Sequence, residues 1–438
     1  MVSDHITASG RLRIAQERYA VRNPKSKLQH EAAAQHLPGG NTRSVLGRGN
    51  RVVDLDGHEY LDLVGEMTAG VYGHSHSVIA ETIVSTVNSI GMNLGATTAA
   101  EARFARAICD RFSSIEQLRF CNSGTEANLY ALSVARQATG RSKVIVFEGA
   151  YHGGVLTFIH GVASNTVDRN DWIIGQYNDV ESTKRLIAES KDIAAAVLLE
   201  GMQGAGGCIP ATAEFLHAVQ DAAEANGLIF ILDEVMTSRL VPGGLQSVVL
   251  HPERGTPLSP DLTTLGKWIA GGLTIGAFGG QRDLLSVYDP RSSNISHSGT
   301  FNNNTLAMNV GYESMTSVYT SEACIALNEL GDKLRHGLNA MAKGTKMTVT
   351  GVGSVMTIHF LPRGGGKNIT SIKDLMVELE SEEAVLRDLF WFYLIEYGFW
   401  IARRGMVSLI LGTSNGEIDQ FIGAVGAFLD EFQEFVSL

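Results

Sequence analysis

Nearly continuous runs of apolar residues alternate with stretches of helical spacing through the middle of the chain. Four of these runs have the length of a β-strand: residues 118–121, 144–147, 195–200 and 228–233. Strands that are covered by helices on both faces show this continuous apolar pattern. We therefore predict an α/β fold with a mostly parallel central sheet, in a large domain from residue 70 to residue 325.

The two ends of the chain follow other patterns. An N-terminal segment, residues 1–69, combines helical stretches with two alternating runs that meet at Asp56-Gly57, a strong hairpin signal. From residue 326 to residue 438, long helical stretches surround the strand-like segments 349–360 and 407–411. We expect a smaller C-terminal α+β domain here, with the N-terminal segment packed against it.

Composition and charge narrow the class of function. The chain has 438 residues, 44% of them hydrophobic, so it is long enough for a large enzyme core. Its formal net charge of −11 and the lack of a basic cluster argue against nucleic acid and membranes as partners. The four cysteines have no CxxC spacing, and the histidines suggest no metal cluster. Since the N-terminus shows no signal-peptide pattern, we expect a cytoplasmic protein.

A lysine and an acid stand at positions that suit catalysis. Lys267 lies in a glycine-rich segment, where Leu265 and Trp268 would desolvate the amine and make it a better nucleophile for a Schiff base. Asp233 ends a buried run, and a buried carboxylate needs a cationic partner. That partner is either a protonated pyridine nitrogen or Arg239. A plain surface position for Lys267 is the alternative.

Three further segments combine glycine with hydroxyl or aromatic groups. Ser123, Gly124 and Thr125 open a helix after the run at 118–121, which predicts either a phosphate site or an ordinary helix cap. Tyr151 stands among glycines after the run at 144–147 and either stacks on a planar ring or packs in a turn. Thr300 belongs to a polar segment before a helix, where a second phosphate contact or a cap is expected.

The order of these segments resembles that of a known family. They follow one another as in the pyridoxal 5'-phosphate enzymes of fold type I, in the class III aminotransferase group. The chain is similar to glutamate-1-semialdehyde aminomutase-like proteins and, among these, to β-amino acid (β-phenylalanine-type) aminotransferases. The resemblance covers nearly the whole chain. Its matching segments are 37–46, 122–128, 149–154, 233–240, 264–267 and 297–304.

The resemblance implies a role for each segment. Lys267 would form the Schiff base with pyridoxal 5'-phosphate, and Asp233 would pair with the pyridine nitrogen. Tyr151 would stack on the ring, and Gln203 would lie near the ring hydroxyl. Four residues would bind the phosphate, the last of them from the other subunit of a homodimer with shared active sites: Ser123, Gly124, Thr125 and Thr300.

The resemblance also implies residues that bind the substrate. Arg43 would hold the carboxylate of a β-amino acid, and Arg404 would hold the α-carboxylate of the amino donor or acceptor, since a guanidinium suits a carboxylate. Met67 is a candidate for the same pocket or for simple packing. Only residues 47–50 join the Arg43 turn to the next strand, where relatives have a longer aromatic segment. We therefore expect a more open substrate pocket.

These observations predict an aminotransferase that moves an amino group from a β-amino acid or related amine to a keto acid, pyruvate or 2-oxoglutarate. Three alternatives stay open. The first is an aminomutase of the glutamate-1-semialdehyde type, and the second is a transaminase for amines without a carboxylate. The third is a non-catalytic binding protein that keeps the fold.

Overall fold

The computed structural model describes residues 7–40, 45–92, 97–162, 164–165, 167–291, 295–364 and 368–438. These residues divide into two compact units. The large unit spans Ser77–Asn328 and Ile369–Asp374. The small unit takes the described residues of Met1–His76, Glu329–Asn368 and Leu375–Leu438.

The helices and strands of the described residues are numbered in chain order. The α-helices are α1 (Ala8–Arg22), α2 (Pro24–Ala34), α3 (Ser77–Ser89), α4 (Ala99–Arg111), α5 (Gly124–Thr139), α6 (Val180–Ser190), α7 (Ala213–Ala225), α8 (Arg282–Leu285), α9 (Thr305–Glu313), α10 (Ser321–Met341), α11 (Glu382–Glu396), α12 (Asn415–Glu431) and α13 (Gln433–Val436). The strands are β1 (Val45–Arg48), β2 (Arg51–Asp54), β3 (Glu59–Asp62), β4 (Gln117–Cys121), β5 (Lys143–Phe147), β6 (Ile159–Val162), β7 (Trp172–Gly175), β8 (Ala194–Glu200), β9 (Met202–Gln203), β10 (Ile209–Pro210), β11 (Ile229–Asp233), β12 (Leu262–Gly266), β13 (Gly276–Gly280), β14 (Met347–Val352), β15 (Val355–Phe360), β16 (Phe399–Trp400) and β17 (Met406–Ser408).

A seven-stranded sheet forms the centre of the large unit, in the order β4-β13-β12-β11-β8-β5-β7. The strands from β12 to β7 run parallel to one another, and β13 runs antiparallel to both β12 and β4. Every residue of β8 is buried, as expected for a central strand with both faces covered. The predicted α/β fold with a mostly parallel sheet is confirmed.

The four apolar runs that we predicted as strands correspond to β4, β5, β8 and β11. The strands β12 and β13 were not predicted, because their glycines suggested turns. In β13 the glycines serve close backbone contact. A Cβ atom at Gly276 would lie 2.1 Å from the Ser123 carbonyl oxygen, and one at Gly280 would lie 2.1 Å from that of Asp261. Only glycine allows neighbouring backbone to approach this closely.

Helix α5 packs on this sheet through a face of small side chains. Its buried residues include Ala127, Ala131 and Ala135, spaced by four, which lets the helix lie close to β12 and β13. Asn128 is also fully buried on this helix. A buried amide must find hydrogen-bond partners, so Asn128 marks a polar site within an otherwise apolar layer.

The small unit contains two further sheets. One has the order β1-β2-β3-β16, and the other has the order β14-β15-β17. The hairpin predicted at Asp56-Gly57 is confirmed, since β2 and β3 pair antiparallel around this turn. In the short link at residues 47–50, Gly47 and Arg48 belong to β1 and pair with β2. Along the described residues, no helix combines the length and hydrophobicity that crossing a bilayer requires.

Candidate active site

The chemistry-bearing residues of the large unit lie at the carboxyl ends of neighbouring strands. Asp233 is the last residue of β11, and Lys267 directly follows β12. The two strands are parallel neighbours, with Asp233 opposite Thr264. Open α/β sheets bind ligands at this edge, where parallel strands deliver side chains from distant segments to one place.

The carboxylate of Asp233 is buried and held by three donors. Its Oδ2 atom lies 2.8 Å from Asn128 Nδ2 and 2.8 Å from His152 Nδ1. Its Oδ1 atom accepts the Val235 backbone N–H at 2.9 Å. Arg239, the protein partner that we considered for Asp233, is not among these contacts. A carboxylate offers about four acceptor positions, so Oδ1 keeps one position for a single further donor.

Lys267 has a strained backbone. Its φ angle is 57°, in the left-handed region that side chains other than glycine rarely adopt. The preceding Gly266 brings β12 against the start of α5, since a Cβ there would lie 3.3 Å from the Gly124 nitrogen. The following Trp268 and Ile269 are fully buried. Strain of this kind persists only where the surrounding packing imposes it, and it is typical of functional positions.

Ser123, Gly124 and Thr125 begin helix α5. The Ser123 hydroxyl accepts the Glu126 backbone N–H at 3.1 Å, so the ordinary helix cap that we considered is present. Within the described part of the chain, the backbone N–H groups of Gly124 and Thr125 have no hydrogen-bond partner. Free N–H groups at the positive end of a sixteen-residue helix form an anion site, and this is compatible with the cap.

The aromatic turn at residues 149–154 lies against the start of α5. Gly153 has a φ of 132°, and a Cβ atom there would lie 2.2 Å from the Thr125 hydroxyl oxygen. Tyr151 is exposed, and its backbone N–H is donated to Glu200 Oε1 at 2.9 Å. The turn therefore packs Gly153 against the start of α5 and leaves Tyr151 exposed. Stacking of Tyr151 on a cofactor requires such an exposed ring.

Glu200 is the last residue of β8, and Gln203 is the last residue of the short strand β9 that follows it. The Glu200 carboxylate accepts the N–H groups of Tyr151 and Gly204, at 2.9 and 3.0 Å. The pKa of Glu200 is raised to about 7. Burial is the main cause, the nearby His152 acts in the opposite direction, and the Asp233 carboxylate adds to the rise. Gln203 is fully buried and donates Nε2 to the Glu148 carbonyl at 3.0 Å. Its Oε1 atom has no hydrogen-bond partner among the described residues.

Thr300 lies in an exposed turn before α9. The neighbouring Asn302 accepts a hydrogen bond from Asn122 Nδ2 at 2.9 Å, so this turn is attached to the residue that precedes the anion site in the same chain. Phe301 beside it is 56% exposed. The role of Thr300 towards a second subunit stays a prediction.

Two of the substrate candidates, Met67 and Arg404, belong to the small unit. Arg404 is exposed, and its Nη2 atom lies 3.9 Å from Met67 Sδ and 3.1 Å from Met406 Sδ. No carboxylate pairs with Arg404 among the described residues. By contrast, Arg403 makes a two-pronged ion pair with Asp388, at 2.7 and 3.1 Å. Arg403 is therefore paired with Asp388, although more than half of its side chain is exposed.

Met67 stands on an unusual backbone turn. Glu66, Met67 and Thr68 have φ angles of 50°, 54° and 80°, three consecutive non-glycine residues in the left-handed region. Asp62 braces the start of the turn, since its Oδ1 atom accepts the N–H groups of Val64 and Gly65. The structure thus brings Met67 and Arg404 together. Arg43 lies outside the described residues.

Pyridoxal 5'-phosphate fits the groups that the large unit leaves available. The open acceptor position on Asp233 suits a protonated ring nitrogen, and the N–H groups of Gly124 and Thr125 suit a phosphate. The buried Oε1 atom of Gln203 is an acceptor that a ring hydroxyl would satisfy. These three groups have the polarity that the three polar parts of the cofactor need.

Four further residues belong to the site, although no role was predicted for them: Asn128, His152, Glu200 and Thr264. Asn128 and His152 contact Asp233, Glu200 contacts the backbone of Tyr151, and Thr264 contacts Asn128. The only signal available was their polarity at positions where the pattern predicts burial. This signal marks a buried polar residue and does not identify its partner.

Comparison with known proteins identifies the family. The model of the aminotransferase class-III family matches residues 41–381. An uncharacterised aminotransferase of Schizosaccharomyces pombe is 47% identical over 95% of this chain and 94% of its own length. The β-phenylalanine transaminase of Variovorax paradoxus is 42% identical, with 97% of each chain covered. A glutamate-1-semialdehyde 2,1-aminomutase of Rhodopirellula baltica is 35% identical over 77% of this chain and 82% of its own.

A solved structure agrees with these matches. The β-phenylalanine aminotransferase of Variovorax paradoxus superimposes with a TM-score of 0.92 at 40% identity, covering 98% of this chain and 99% of its own. The predicted family, fold and enzyme class are confirmed. The chain belongs to the class III aminotransferases, which are enzymes of fold type I that depend on pyridoxal 5'-phosphate.

Proposed function

We propose that this aminotransferase moves an amino group from a β-amino acid or a related amine to a keto acid, pyruvate or 2-oxoglutarate. One observation carries the proposal. Asp233 and Lys267 stand at the ends of adjacent parallel strands, beside the N-terminus of α5. The 42% identity to a β-phenylalanine transaminase supports the β-amino acid as substrate class.

Each cofactor-binding residue has a role in this proposal. Asp233 holds the ring nitrogen, Tyr151 covers one face of the ring, and Gln203 accepts from the ring hydroxyl. The phosphate is bound by Ser123, Gly124, Thr125 and, from a second subunit, Thr300. When bound, the cofactor supplies an aldehyde that captures the amine and a ring that stabilises a carbanion.

Lys267 is the catalytic residue. Its Nζ atom would hold the cofactor and, once a donor amine has taken its place, would be free to move protons. The Lys267 amine would then remove the proton from the amine-bearing carbon of the substrate as general base and give it up again as general acid. With the keto acid it would move the proton in the opposite direction. The buried Trp268 and Ile269 next to Lys267 limit water at this position.

Arg404 binds a substrate carboxylate in this proposal, with Met67 beside it and Arg43 as a second carboxylate ligand. The lack of a carboxylate partner for Arg404 among the described residues supports this role. Arg404→Ala should lower kcat/KM for carboxylate substrates about 10- to 100-fold, the cost of a lost charge-assisted bond. Arg403→Ala removes the same charge from the next position and should leave kcat/KM nearly unchanged.

A donor panel separates the proposal from its alternatives. β-Amino acids, α-amino acids and amines without a carboxylate are each tested with pyruvate and 2-oxoglutarate. We expect β-amino acids to be the best donors. An Arg404→Ala enzyme that loses nothing on any donor would favour an amine transaminase. Turnover that never requires a keto acid would favour an aminomutase.

We further propose a cytoplasmic homodimer. Helix α3 exposes Val84 and Val87, and the exposed Ile90 and Met92 follow it, which supports an apolar contact surface on the large unit. A second copy of the chain would cover this surface and bring its Thr300 to the phosphate. Sedimentation at micromolar concentration should give a dimer, and a stable active monomer would contradict the shared site.

A further inference from the structure

The side-chain amide of Asn128 uses both of its groups at the centre of the cofactor site. Its Nδ2 atom donates to Asp233 Oδ2 at 2.8 Å and to the His152 carbonyl oxygen at 3.0 Å. Its Oδ1 atom accepts the Thr264 hydroxyl at 2.8 Å. One buried amide thus joins α5, β11, β12 and the aromatic turn.

These neighbours determine which way the amide points. Turned by 180°, the amide would place its oxygen against two acceptors, Asp233 Oδ2 and the His152 carbonyl, and both contacts would be repulsive. In the observed orientation the Thr264 hydroxyl satisfies the amide oxygen, which is buried and would otherwise lack a partner. Thr264 is therefore the donor that completes the orientation of Asn128.

The same contact determines where the Asp233 carboxylate has room for a ligand. Asn128 and His152 fill both acceptor positions of Oδ2, and the Val235 N–H fills one position of Oδ1. The open position therefore lies on Oδ1. If the Asn128 donor were lost, Oδ2 would also have an open acceptor position. The carboxylate could then rotate, and its open position on Oδ1 would no longer face one fixed direction.

We propose that Asn128 and Thr264 are positioning residues for the cofactor, which act by orienting the Asp233 carboxylate toward the ring nitrogen. This proposal rests on the proposed role of Asp233. Both side chains are buried, and the Thr264 hydroxyl reaches Asp233 only by way of Asn128, so both act through Asp233 in this proposal. The competing explanation is that the two residues only stabilise the fold, by joining α5 to β12.

The test uses the holoenzyme and measures how fast pyridoxal 5'-phosphate is released on dilution, followed by its absorbance. Thr264→Val removes the hydroxyl and keeps the shape of the side chain, and it should speed release about fivefold, the effect of one lost hydrogen bond. Thr264→Ser keeps the hydroxyl and should restore slow release. Asn128→Ala tests the amide itself and should give an effect at least as large.

A double-mutant cycle with Asp233→Ala distinguishes positioning from fold stability. If Thr264 acts through Asp233, Thr264→Val should change release in the wild-type background and have no further effect beside Asp233→Ala. An equal effect in both backgrounds would overturn the positioning role. Unchanged release in Asp233→Ala alone would overturn the role of Asp233 and the proposal with it. Faster release in Asp233→Ala but not in Thr264→Val or Asn128→Ala would overturn the positioning pair alone.

Discussion

Gly153 offers a sharp test of how the aromatic turn supports the phosphate site. Its φ of 132° lies where only glycine is found without strain, and its hydrogen points at Thr125. In Gly153→Ala, the new methyl group would lie 2.2 Å from the Thr125 hydroxyl oxygen and 2.6 Å from its Cβ atom. Both distances are far below van der Waals contact, so the turn and the start of α5 must move apart.

The size of the effect follows from two costs. The backbone conformation costs an alanine about 1–3 kcal/mol, and an overpacked methyl group costs about 1–3 kcal/mol more. Displacing Thr125 relieves only the second cost, about 1–3 kcal/mol, and a displaced Thr125 contacts the phosphate poorly. Since about 1.4 kcal/mol corresponds to a tenfold change in affinity, we expect cofactor binding to weaken about tenfold.

Titration of the apoenzyme with pyridoxal 5'-phosphate measures this change. Gly154→Ala is the matched control, because a Cβ atom at Gly154 has nothing within 4 Å and the residue has no positive φ. It should bind the cofactor like the wild type. Wild-type affinity in Gly153→Ala would refute the contact between Gly153 and Thr125 as a support of the phosphate site.

Two further predictions concern Glu200 and Lys267. Because the pKa of Glu200 is raised from its usual 4.5 to about 7 in the folded protein, the wild type should lose stability relative to Glu200→Gln as the pH rises from about 4.5 to about 7. Melting temperatures of both proteins across this range check the slope, and a pH-independent difference would contradict it. Lys267→Ala and Lys267→Gly should both lose turnover, but the glycine variant should be more stable by about 1 kcal/mol, since only alanine is strained at a φ of 57°. Denaturant unfolding of the two apoproteins measures this difference, and a more stable alanine variant would count against the left-handed backbone.

Much of the large unit could be predicted from the sequence because its signals are local. The buried strands β5, β8 and β11 show continuous apolar runs, and parallel strands place their end residues at one edge whatever lies between them. Asp233 could therefore be assigned to this edge from the pattern alone. Lys267 follows β12, which was not predicted, so only the family resemblance assigned it to the same site. The strand β13 escaped prediction because glycine has no side chain to give a pattern, although the packing requires glycine there.

The contacts of the two adjacent arginines, Arg403 and Arg404, do not follow from local patterns. Arg403 and Arg404 are adjacent in sequence, and both carry the same charge. Asp388 pairs with Arg403 across 15 positions and leaves Arg404 facing the sulfur atoms of Met67 and Met406. Ion pairs between distant segments form only when the fold brings them together, so the sequence alone could not distinguish the two arginines.

The sequence by itself determined the strands with continuous apolar runs, the order of the chemical groups along the chain and the family, because these follow from local patterns and from short motifs. Only the tertiary structure decided how the site is held in place. Asp233 meets Asn128 from 105 positions away, and Thr264 meets Asn128 from 136 positions away. A buried polar side chain must be paired, but which partner it finds depends on how helix α5 packs on the sheet.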